Sequence, residues 1–559
     1  MYFLSIHNVE AQKTLNAYIR QSIQQNWDMP ALTDFNGVTY TYHDVARKVA
    51  KMHILFRHAG LVQGDKIAFC GRNSAEWAMA AIASITYGTV TVPVLHDFKA
   101  DTVHHLVCHS EAKLLFTDSQ MWENLDHEHM EHLKGAIQVS DYSLLFSRSK
   151  ELTAAREKLN RLFGEKYPER FTRNDVDYPE FDGDQLVLIN YTSGSMGFSK
   201  GVMLSYKSLW SNIQYSIDGL SFLRPGDGTV CMLPLAHMFG LSIELLHPFV
   251  KGCHINFLTR TPSPRIILEA FAQVHPKLVI AVPLIIEKII RSRVFPLLDK
   301  PLMKVLMAIP VLDKKLLSKI RESLIQAFGG ELKQIIVGGA PLNKEVETFL
   351  RKIKFPYTVG YGMTECGPLV SYAPWQEIRL GSCGRLVDRM KARIDSPDPV
   401  AVPGMLYLNG DNVMLGYYKN PEETKATFTD DGWLKTGDIA QMDADGFLYL
   451  RGREKNMILG PSGQNIYPEE IEQILNNLPY VNESLIVMRD GKLFALIHPD
   501  VEAAQKAGMD NTRITQQMED NIRVLNDKLP PYSQVSGFKL FDEEFEKTPK
   551  RSIKRYLYQ

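Results

Sequence analysis

A stretch rich in glycine, serine and threonine occupies residues 191–201, where the sequence reads YTSGSMGFSKG. Glycine lets backbone N–H groups approach an anion closely, hydroxyl groups add hydrogen-bond donors, and a lysine adds positive charge. The spacing excludes a Walker A loop, because the second glycine that such a loop requires is replaced by Ser199. Taken alone, the stretch is more typical of a surface turn than of a phosphate loop. The candidate phosphate ligands are Thr192, Ser193, Ser195 and Lys200.

Four further stretches follow in a fixed order: GGAPL at 338–342, YGMTE at 361–365, KTGD at 435–438 and GREKNMILGPSGQNIYPEEIE at 452–472. Together with the loop at 191–201 they resemble the adenylate-forming ligases, the superfamily of acyl-CoA synthetases, peptide-synthetase adenylation domains and luciferases. Each motif alone has a structural explanation as a turn or a cap. Their joint order favours the resemblance, which spans nearly the whole chain.

The resemblance implies that ATP and Mg²⁺ bind these motifs, since attack of a carboxylate on ATP requires neutralised phosphates. Thr192, Ser193, Gly194 and Ser195 would hold the β- and γ-phosphates, with Lys200 supporting the loop. Thr364 would contact the α-phosphate, and Glu365 would ligate the magnesium ion, which prefers oxygen ligands. The implied adenine contacts are Gly339, Ala340, Pro341 and Tyr361, and the YGMTE motif adds Gly362 and Met363 to the nucleotide-binding set.

The same resemblance assigns the ribose and the second substrate. Asp438 would accept hydrogen bonds from both ribose hydroxyls, and Arg453 would contact the nucleotide. Lys455 would be the hinge about which a C-terminal domain rotates between two half-reactions. Gly463 would line the tunnel for the pantetheine of CoA, the co-substrate of the second half-reaction.

The acyl substrate is predicted from the stretch MLPLAHMFG at 232–240, in which His237 would stand beside the substrate carboxylate. Without that context, a packed core histidine is an equal alternative. The apolar run after it could line a tunnel, and the segments 282–290 and 320–342 look like the long-chain fatty acyl-CoA synthetase branch. The predicted function is therefore activation of a medium-to-long-chain fatty acid to acyl-AMP, followed by thioester formation with CoA. The alternatives are a ligase that loads an acyl carrier protein and a homologue with weakened catalysis.

The C-terminal motif departs from the family pattern TPTGKIxR, since the chain reads TPKRSIKR at 548–555. Ser552 stands where the family has its catalytic lysine. Lys550 and Lys554 flank that position by two residues, a displacement of about 7 Å in an extended chain. We expect Lys550 to supply the missing charge, with Lys554 as the alternative.

Composition excludes several other classes of protein. The 559 residues are 45% hydrophobic and 23% charged, with a net charge of −1, so neither general disorder nor nucleic-acid binding is expected. Six cysteines without CxxC pairing are typical of a reducing compartment. No signal peptide or run of membrane-spanning length is evident. The sequence therefore predicts a cytoplasmic enzyme without a nucleic-acid partner.

The elements that must position these motifs alternate between strands and helices, which predicts an α/β fold. Apolar runs predict strands at 66–70, 89–94 and 186–189. From Gly381 onward, short β-type runs separated by Gly, Pro and Asn turns predict a β-rich subdomain. The expected domains are 1–452, for ATP and the acyl substrate, and a small mobile α+β domain at 453–559. The Lys-rich amphipathic stretch 296–328 favours a helix packed on the core, with peripheral membrane contact as the alternative.

Overall fold

The computed structural model describes residues 14–193, 199–259, 263–298, 300–459, 465–489, 491–547 and 553–558. Five positions named from the sequence lie outside the described residues: Gly194, Ser195, Gly463, Lys550 and Ser552. Within these ranges the fold is mixed α/β, with a large N-terminal domain and a smaller C-terminal one, as predicted.

The α-helices of the described residues begin and end as follows: α1 Leu15–Gln25, α2 Tyr42–His58, α3 Ala75–Tyr87, α4 Ala100–Ser110, α5 Ser119–Glu123, α6 Lys150–Glu157, α7 Leu159–Lys166, α8 Tyr206–Gly219, α9 His247–Val250, α10 Pro264–Val274, α11 Pro283–Ile289, α12 Phe295–Leu298, α13 Pro301–Met307, α14 Pro310–Ala327, α15 Lys344–Lys352, α16 Pro421–Thr427, α17 Pro468–Leu475, α18 Val501–Lys506 and α19 Asn511–Asn526. Two π-helical segments, Gly240–Leu246 and Ile290–Val294, continue directly into α9 and α12.

The strands of the described residues are β1 Pro30–Asp34, β2 Thr39–Thr41, β3 Lys66–Cys70, β4 Val90–Val94, β5 Ala112–Thr117, β6 Gly135–Gln138, β7 Leu144–Ser147, β8 Leu186–Ser193, β9 Ser199–Ser205, β10 Gly228–Cys231, β11 His254–Phe257, β12 Leu278–Ala281, β13 Gln334–Val337, β14 Tyr357–Val359, β15 Tyr361–Gly362, β16 Leu369–Tyr372, β17 Arg385–Leu386, β18 Met390–Asp395, β19 Gly404–Gly410, β20 Gly416–Tyr417, β21 Leu434–Met442, β22 Leu448–Arg453, β23 Ile458–Leu459, β24 Asn465–Ile466, β25 Val481–Arg489, β26 Lys492–Pro499 and β27 Val535–Leu540.

The largest sheet contains the glycine-rich stretch. Its strand order is β20-β9-β8-β4-β3-β5-β6-β7, and the central strands β8, β4, β3, β5 and β6 run parallel. The predicted strands at 66–70, 89–94 and 186–189 are confirmed as β3, β4 and β8. The sequence did not predict β9, which pairs antiparallel with β8 before α8 begins. The stretch 191–201 therefore connects two strands of one sheet.

Two smaller parallel sheets stand beside this one. In the first, β10, β11 and β1 are parallel, and β2 is added antiparallel at the edge. In the second, β12, β13 and β14 are parallel, and nearly all of their residues are buried. Strands buried on both faces are near-continuous apolar runs, as these are.

The β-rich subdomain predicted from Gly381 onward is confirmed by the antiparallel sheet β18-β19-β21-β22. The C-terminal residues form their own sheet, β25-β26-β27, against which α17 and α19 pack. This part has an apolar core of its own that includes Ile471, Leu475 and Leu525. A separate core is what an independently moving domain requires.

Two glycines with the same backbone conformation test how tightly the β-rich subdomain is packed. Gly384 and Gly446 have φ of +83° and +81°. A Cβ on Gly384 would lie 2.2 Å from the carbonyl carbon of Tyr372, whereas a Cβ on Gly446 would meet no described atom within 4 Å. We expect Gly446→Ala to lower the free energy of unfolding by about 1–2 kcal/mol through backbone strain alone. Gly384→Ala should cost at least about 3 kcal/mol, because the backbone must also move. Urea unfolding of both variants measures the difference, and equal losses would contradict the close approach.

Candidate active site

The motif-bearing loops follow the carboxyl ends of parallel strands in three different sheets. The glycine-rich stretch follows β8, the His237 loop follows β10, and the GGAPL and YGMTE motifs follow β13 and β14. The carboxyl ends of parallel strands are where open α/β sheets place their ligand sites. The fold thus brings motifs from separate parts of the sequence toward a common region.

The hairpin of β8 and β9 places Lys200 beside an acidic helix end. The half-buried side chain of Thr192 donates a hydrogen bond at 3.5 Å to the backbone oxygen of Lys200. The ammonium group of Lys200 forms an ion pair with Glu423, in the first turn of α16, and lies 5.2 Å from the ring centroid of Tyr417. The lysine is therefore held by a carboxylate and an aromatic ring.

Tyr417 also contacts the predicted magnesium ligand. Its hydroxyl donates to Oε1 of Glu365 at 3.0 Å, and the backbone N–H of Met414 donates to the carbonyl of Glu365 at 2.8 Å. Glu365 lies in a short 3-10 turn, Thr364–Cys366, directly after Met363. Among the described residues no cluster of three or more metal-ligating side chains occurs, so Glu365 belongs to no preformed metal cage there. One carboxylate with water and phosphate oxygens is an ordinary environment for Mg²⁺.

Asp438 is the centre of a buried polar cluster. Its side chain is 6% exposed and accepts a hydrogen bond from the Tyr361 hydroxyl. Its Oδ1 also forms an ion pair with Arg453, at 2.7 Å from Nε. Burial raises the pKa of the Asp438 carboxyl, while Arg453 and Tyr361 act in the opposite direction. Asp438 and Arg453 face each other across the β21–β22 ladder, whereas Tyr361 comes from another sheet.

The GGAPL motif forms an exposed turn after β13. Gly339, Ala340 and Pro341 are exposed, and Gly339 has φ of +87°, which favours glycine. A Cβ on Gly338 would lie 3.0 Å from the ring of Phe239, so the turn packs against the helix that follows the His237 loop. Such a turn offers accessible backbone to a flat ligand.

Gly362 shows a second close approach beside Tyr361. A Cβ on Gly362 would lie 2.3 Å from the carbonyl oxygen of Pro368, and the N–H of Met363 donates to that same oxygen at 2.9 Å. The YGMTE motif is therefore fixed in space by backbone contacts on both sides of the turn.

Two buried or half-buried amides hold the loop that carries His237. The side-chain amide of Asn190, on β8, donates to the carbonyl of Ala236 at 2.8 Å. Asn73 donates to the carbonyl of Leu233 at 2.7 Å and accepts from the N–H of Leu235 at 2.9 Å. His237 itself is half-buried. Because Asn190 is one residue before Tyr191, the same strand positions the glycine-rich stretch and the histidine loop.

Behind His237 the chain enters an apolar helix. All seven residues of the π-helical segment Gly240–Leu246 are buried. Its one carboxylate, Glu244, accepts backbone N–H groups of Met232 and Leu233 at 3.1 and 2.8 Å, and burial raises its pKa to about 8. Burial likewise lowers the pKa of His247 to about 3. Both groups are therefore stable in their neutral forms within an apolar surrounding.

The C-terminal domain lies against the GGAPL turn through α17. The amide of Gln473 donates to the carbonyl of Leu342 at 3.1 Å, and Arg291 contacts the backbone oxygen of Asn476 at 3.4 Å and the side chain of Asn477. Lys455, the predicted hinge, lies in the 3-10 turn Glu454–Asn456 between β22 and β23.

The ends of the C-terminal motif are anchored on this same domain. Arg555 donates to both carboxylate oxygens of the buried Glu472 at 2.7 and 2.6 Å, and Lys554 forms an ion pair with Glu546 at 2.7 Å. Lys547 pairs with Glu483 at 2.9 Å.

Contacts between the motifs form a continuous ring. Asn190 connects the glycine-rich hairpin to the His237 loop, Phe239 connects that loop to the GGAPL turn, and the β13–β14 pairing leads to Tyr361. The cluster on Asp438 then adds Arg453 and the β-rich subdomain. Tyr417 closes the ring, because it contacts both Glu365 of the YGMTE motif and Lys200 of the hairpin. Every predicted site residue within the described ranges belongs to this ring or to the turn beside it.

Three supporting residues were not predicted: Glu423, Tyr417 and Asn190. The sequence NPEE at 420–423 is typical of a helix start, with Asn420 as the N-cap, and so predicts α16. It contains no signal for the partner of Glu423, because that partner is more than two hundred residues away.

Comparison with solved structures defines the class of fold. Over 97% of this chain and 98% of the other, the protein superimposes on ATP-bound MatB from Rhodopseudomonas palustris with a TM-score of 0.75 and 22% sequence identity. The fold is that of the adenylate-forming ligases.

Family models and curated relatives identify the family. The AMP-binding enzyme model matches residues 19–418, and the model of the AMP-binding enzyme C-terminal domain matches residues 455–558. Long chain acyl-CoA synthetase 3 of Arabidopsis thaliana is 27% identical over 79% of this chain and 70% of its own length. The 4-coumarate-CoA ligase 1 of Narcissus pseudonarcissus is 27% identical over 85% of this chain and 81% of its own. The chain belongs to the AMP-binding enzyme family, within the adenylate-forming ligase superfamily.

No helix in the described part of the chain is long and apolar enough to cross a membrane.

The ion pair at Asp438 predicts a pH-dependent loss of stability in the Arg453→Met variant. Burial already raises the folded-state pKa of Asp438 above the ordinary value of 3.8, and loss of the guanidinium raises it further. We expect a loss of about 1–2 kcal/mol at neutral pH, where the carboxylate is ionised and lacks its partner. The loss should shrink as pH falls toward the carboxyl pKa, since a protonated Asp438 does not need the cation.

Thermal unfolding at several pH values measures this effect. Lys207→Met is the matched control, because its ion pair with Asp184 at 2.6 Å is exposed and should matter little at any pH. A pH-independent deficit for Arg453→Met would contradict the role assigned to the buried carboxylate.

Proposed function

We propose that this protein activates a medium-to-long-chain fatty acid with ATP, forming acyl-AMP and pyrophosphate, and then transfers the acyl group to CoA with release of AMP. The observation that carries the proposal is the ring of contacts that unites the glycine-rich hairpin, the His237 loop, the GGAPL turn and the Asp438 cluster. Family membership supports the adenylation chemistry, and the apolar surroundings behind His237 support a fatty acyl group.

The nucleotide fits the exposed and polar side of the ring. The adenine would lie along Gly339, Ala340 and Pro341 beside Tyr361, since that turn exposes its backbone. The ribose hydroxyls would bond to Asp438, whose carboxylate is oriented by Tyr361 and Arg453. An orienting shell of this kind fixes the acceptor before the ligand arrives.

The phosphates would occupy the hairpin side, at Thr192, Ser193, Gly194 and Ser195. Lys200 would support that loop from its position on Glu423, and Thr364 would contact the α-phosphate. Glu365, fixed by the Tyr417 hydroxyl, would hold Mg²⁺, which supplies charge neutralisation on the phosphate oxygens when bound. Positioning and electrostatics are the main requirements of phosphoryl chemistry.

The acyl group would extend from His237 toward the buried segment Gly240–Leu246. Burial of each CH₂ group is worth about 0.8 kcal/mol, so an apolar site favours longer chains. The 27% identity to a long-chain acyl-CoA synthetase is matched by the same identity to a 4-coumarate ligase, so an aromatic acid is the competing substrate class.

The thioester half-reaction would use the C-terminal domain in the arrangement observed here. The chain would divide at Arg453, with Lys455 as the hinge and Gly463 on the pantetheine tunnel. The segment with Gly463 immediately precedes α17, and α17 contacts the GGAPL turn through Gln473 and Leu342. That contact supports an orientation in which CoA reaches the acyl-adenylate.

A substrate panel tests the proposed function. Release of AMP should require ATP, Mg²⁺, CoA and a fatty acid, and kcat/KM should rise from short to long saturated chains in steps of about fourfold per CH₂ until the site is filled. The control acid is 4-coumarate, which should be used at least about 10-fold less well if the site is an apolar tunnel. Preference for 4-coumarate would overturn the fatty-acid assignment. If the acyl group is transferred to holo acyl carrier protein but not to CoA, the acceptor is the carrier protein. If no acid supports AMP release, the protein is a homologue with weakened catalysis.

Lysine variants test the first half-reaction separately. We expect Lys550→Ala to slow fatty-acid-dependent ATP–pyrophosphate exchange by about 100-fold or more, since it removes a charge from the reacting oxygens. Lys554→Ala should retain exchange within about threefold, because its ammonium group is already paired with Glu546. Lys528→Ala, at an exposed position, is the control for an unrelated charge loss. A loss confined to Lys554→Ala would reverse the assignment, and normal exchange in both variants would refute it.

A further inference from the structure

The helices between the GGAPL turn and the acyl side of the fold expose apolar residues to solvent. Within the described residues, six of the seventeen exposed large hydrophobic side chains fall between 284 and 312. The most exposed are Leu302 at 70% and Val305 at 61%, one turn apart on α13 and therefore on the same side of it. We call the outward surface of α12, α13 and the start of α14 the outer face; its apolar members are Leu297, Leu302, Val305, Ile309 and Leu312.

These exposed residues are not the apolar side by which an ordinary surface helix packs on the core. The same helices already direct a separate apolar set inward, since the partly buried side chains of Phe295, Leu298 and Met307 pack against the main core. A surface helix packed on a core is expected to be polar on its opposite side. Here the opposite side is apolar, and contiguous exposed apolar surface is typical of an interaction site.

The charge of this segment is strongly positive. Residues 284–319 contain eight lysines and arginines against three acidic residues, whereas the whole chain has 63 against 64. The exposed side chains of Lys300, Lys314, Lys315 and Lys319 form no ion pair with any carboxylate of the described residues. The cationic side chains therefore remain directed to solvent.

Glu287, one of the three acidic residues, does not offset the positive charge at the surface. Its side chain points inward, where Oε1 accepts a hydrogen bond from the backbone N–H of Asn343 at 2.7 Å and burial raises the pKa of the carboxyl. Asp313 lies in the first turn of α14, with its Oδ1 2.5 Å from the backbone N of Lys314. The outer face is therefore apolar at its centre and cationic along α14.

We propose that the outer face docks on the surface of a lipid bilayer that contains anionic lipids. Leucine and valine side chains insert at the boundary of headgroups and acyl chains, and lysines pair with lipid phosphates. A second copy of this chain fits less well, because two such faces would bring like charges together. The proposal does not depend on the acyl substrate, although α11 joins the outer face to the GGAPL turn through Glu287 and Asn343.

Co-flotation of the full-length protein with vesicles tests this docking. The probes are vesicles of phosphatidylcholine and vesicles in which part of it is replaced by phosphatidylglycerol. Binding should be at least about 10-fold tighter to the anionic vesicles, and added salt should weaken it because exposed charges are screened. The apolar variant Leu302→Ser/Val305→Ser should bind at least about 10-fold more weakly. The charge variant Lys314→Gln/Lys315→Gln should bind about 30-fold more weakly.

Matched variants elsewhere on the surface distinguish binding by the outer face from non-specific binding of the protein to vesicles. Val38→Ser/Val62→Ser removes side chains that are each 62% exposed, and Lys391→Gln/Lys528→Gln removes two exposed charges. Both controls should bind vesicles like the unchanged protein. Absence of binding, equal binding to neutral and anionic vesicles, or equal losses in the control variants would each overturn the proposal.

Sedimentation velocity distinguishes a protein partner from a lipid one. A dimer that Leu302→Ser/Val305→Ser converts to a monomer would overturn membrane docking in favour of self-association. AMP release with a water-soluble medium-chain fatty acid, in the absence of vesicles, should be unchanged in all four variants. A variant that loses vesicle binding but keeps this activity shows that the outer face binds membrane without taking part in catalysis. If the unchanged protein has no activity, the proposed function is wrong, but the vesicle experiment still decides whether the outer face binds membrane.

Discussion

The need to satisfy the buried carboxylate of Asp438 determines much of the arrangement around the site. An ionised carboxylate removed from water requires a cation and hydrogen-bond donors. The β21–β22 register places Arg453 opposite it, and a separate sheet contributes the hydroxyl of Tyr361. One side chain thereby fixes the β-rich subdomain to the sheet β15-β16-β17, whose first strand follows β14 directly in the chain. Because Arg453 is the last residue of β22, the same contact also holds the end of that strand, at the predicted boundary between the two domains.

The other half of the site depends on a second long-range pair, between Lys200 and Glu423. Among the described residues, the carboxylate of Glu423 and the ring of Tyr417 are the groups that hold this lysine at the end of the hairpin. The helix that carries Glu423 is fixed in turn by Asn420 at its N-cap and by the pairing of β20 with β9. Tyr417 contacts both the lysine and Glu365, so the cation and the proposed metal ligand share one support.

The sequence named candidate site residues, but it did not name the residues that hold them in place. Gly339, Tyr361, Glu365 and Asp438 could be named because the short motifs that contain them resemble, in order, those of the adenylate-forming ligases, and the structure places these residues around one region. Strand β9 was missed, because its start lies inside a glycine- and serine-rich stretch that local propensity assigns to a turn. The partnership of Lys200 with Glu423 could not be predicted, since no short-range pattern specifies a contact across that length of chain.

The C-terminal motif shows why charge alone does not define a catalytic position. Lys550 and Lys554 are equally distant in sequence from Ser552, and both have the charge that the position requires. Of the two, only Lys554 lies within the described residues, where it is paired with Glu546 and its neighbour Arg555 is bound by the buried Glu472. Lys547 is likewise bound by Glu483. A lysine that is to neutralise reacting oxygens must exchange its present partner for them, and the anchored residues on either side make that exchange costly for Lys554. The pairing of Lys554 therefore counts against Lys554 as the residue that compensates for Ser552, and Lys550 stays the prediction made from the sequence.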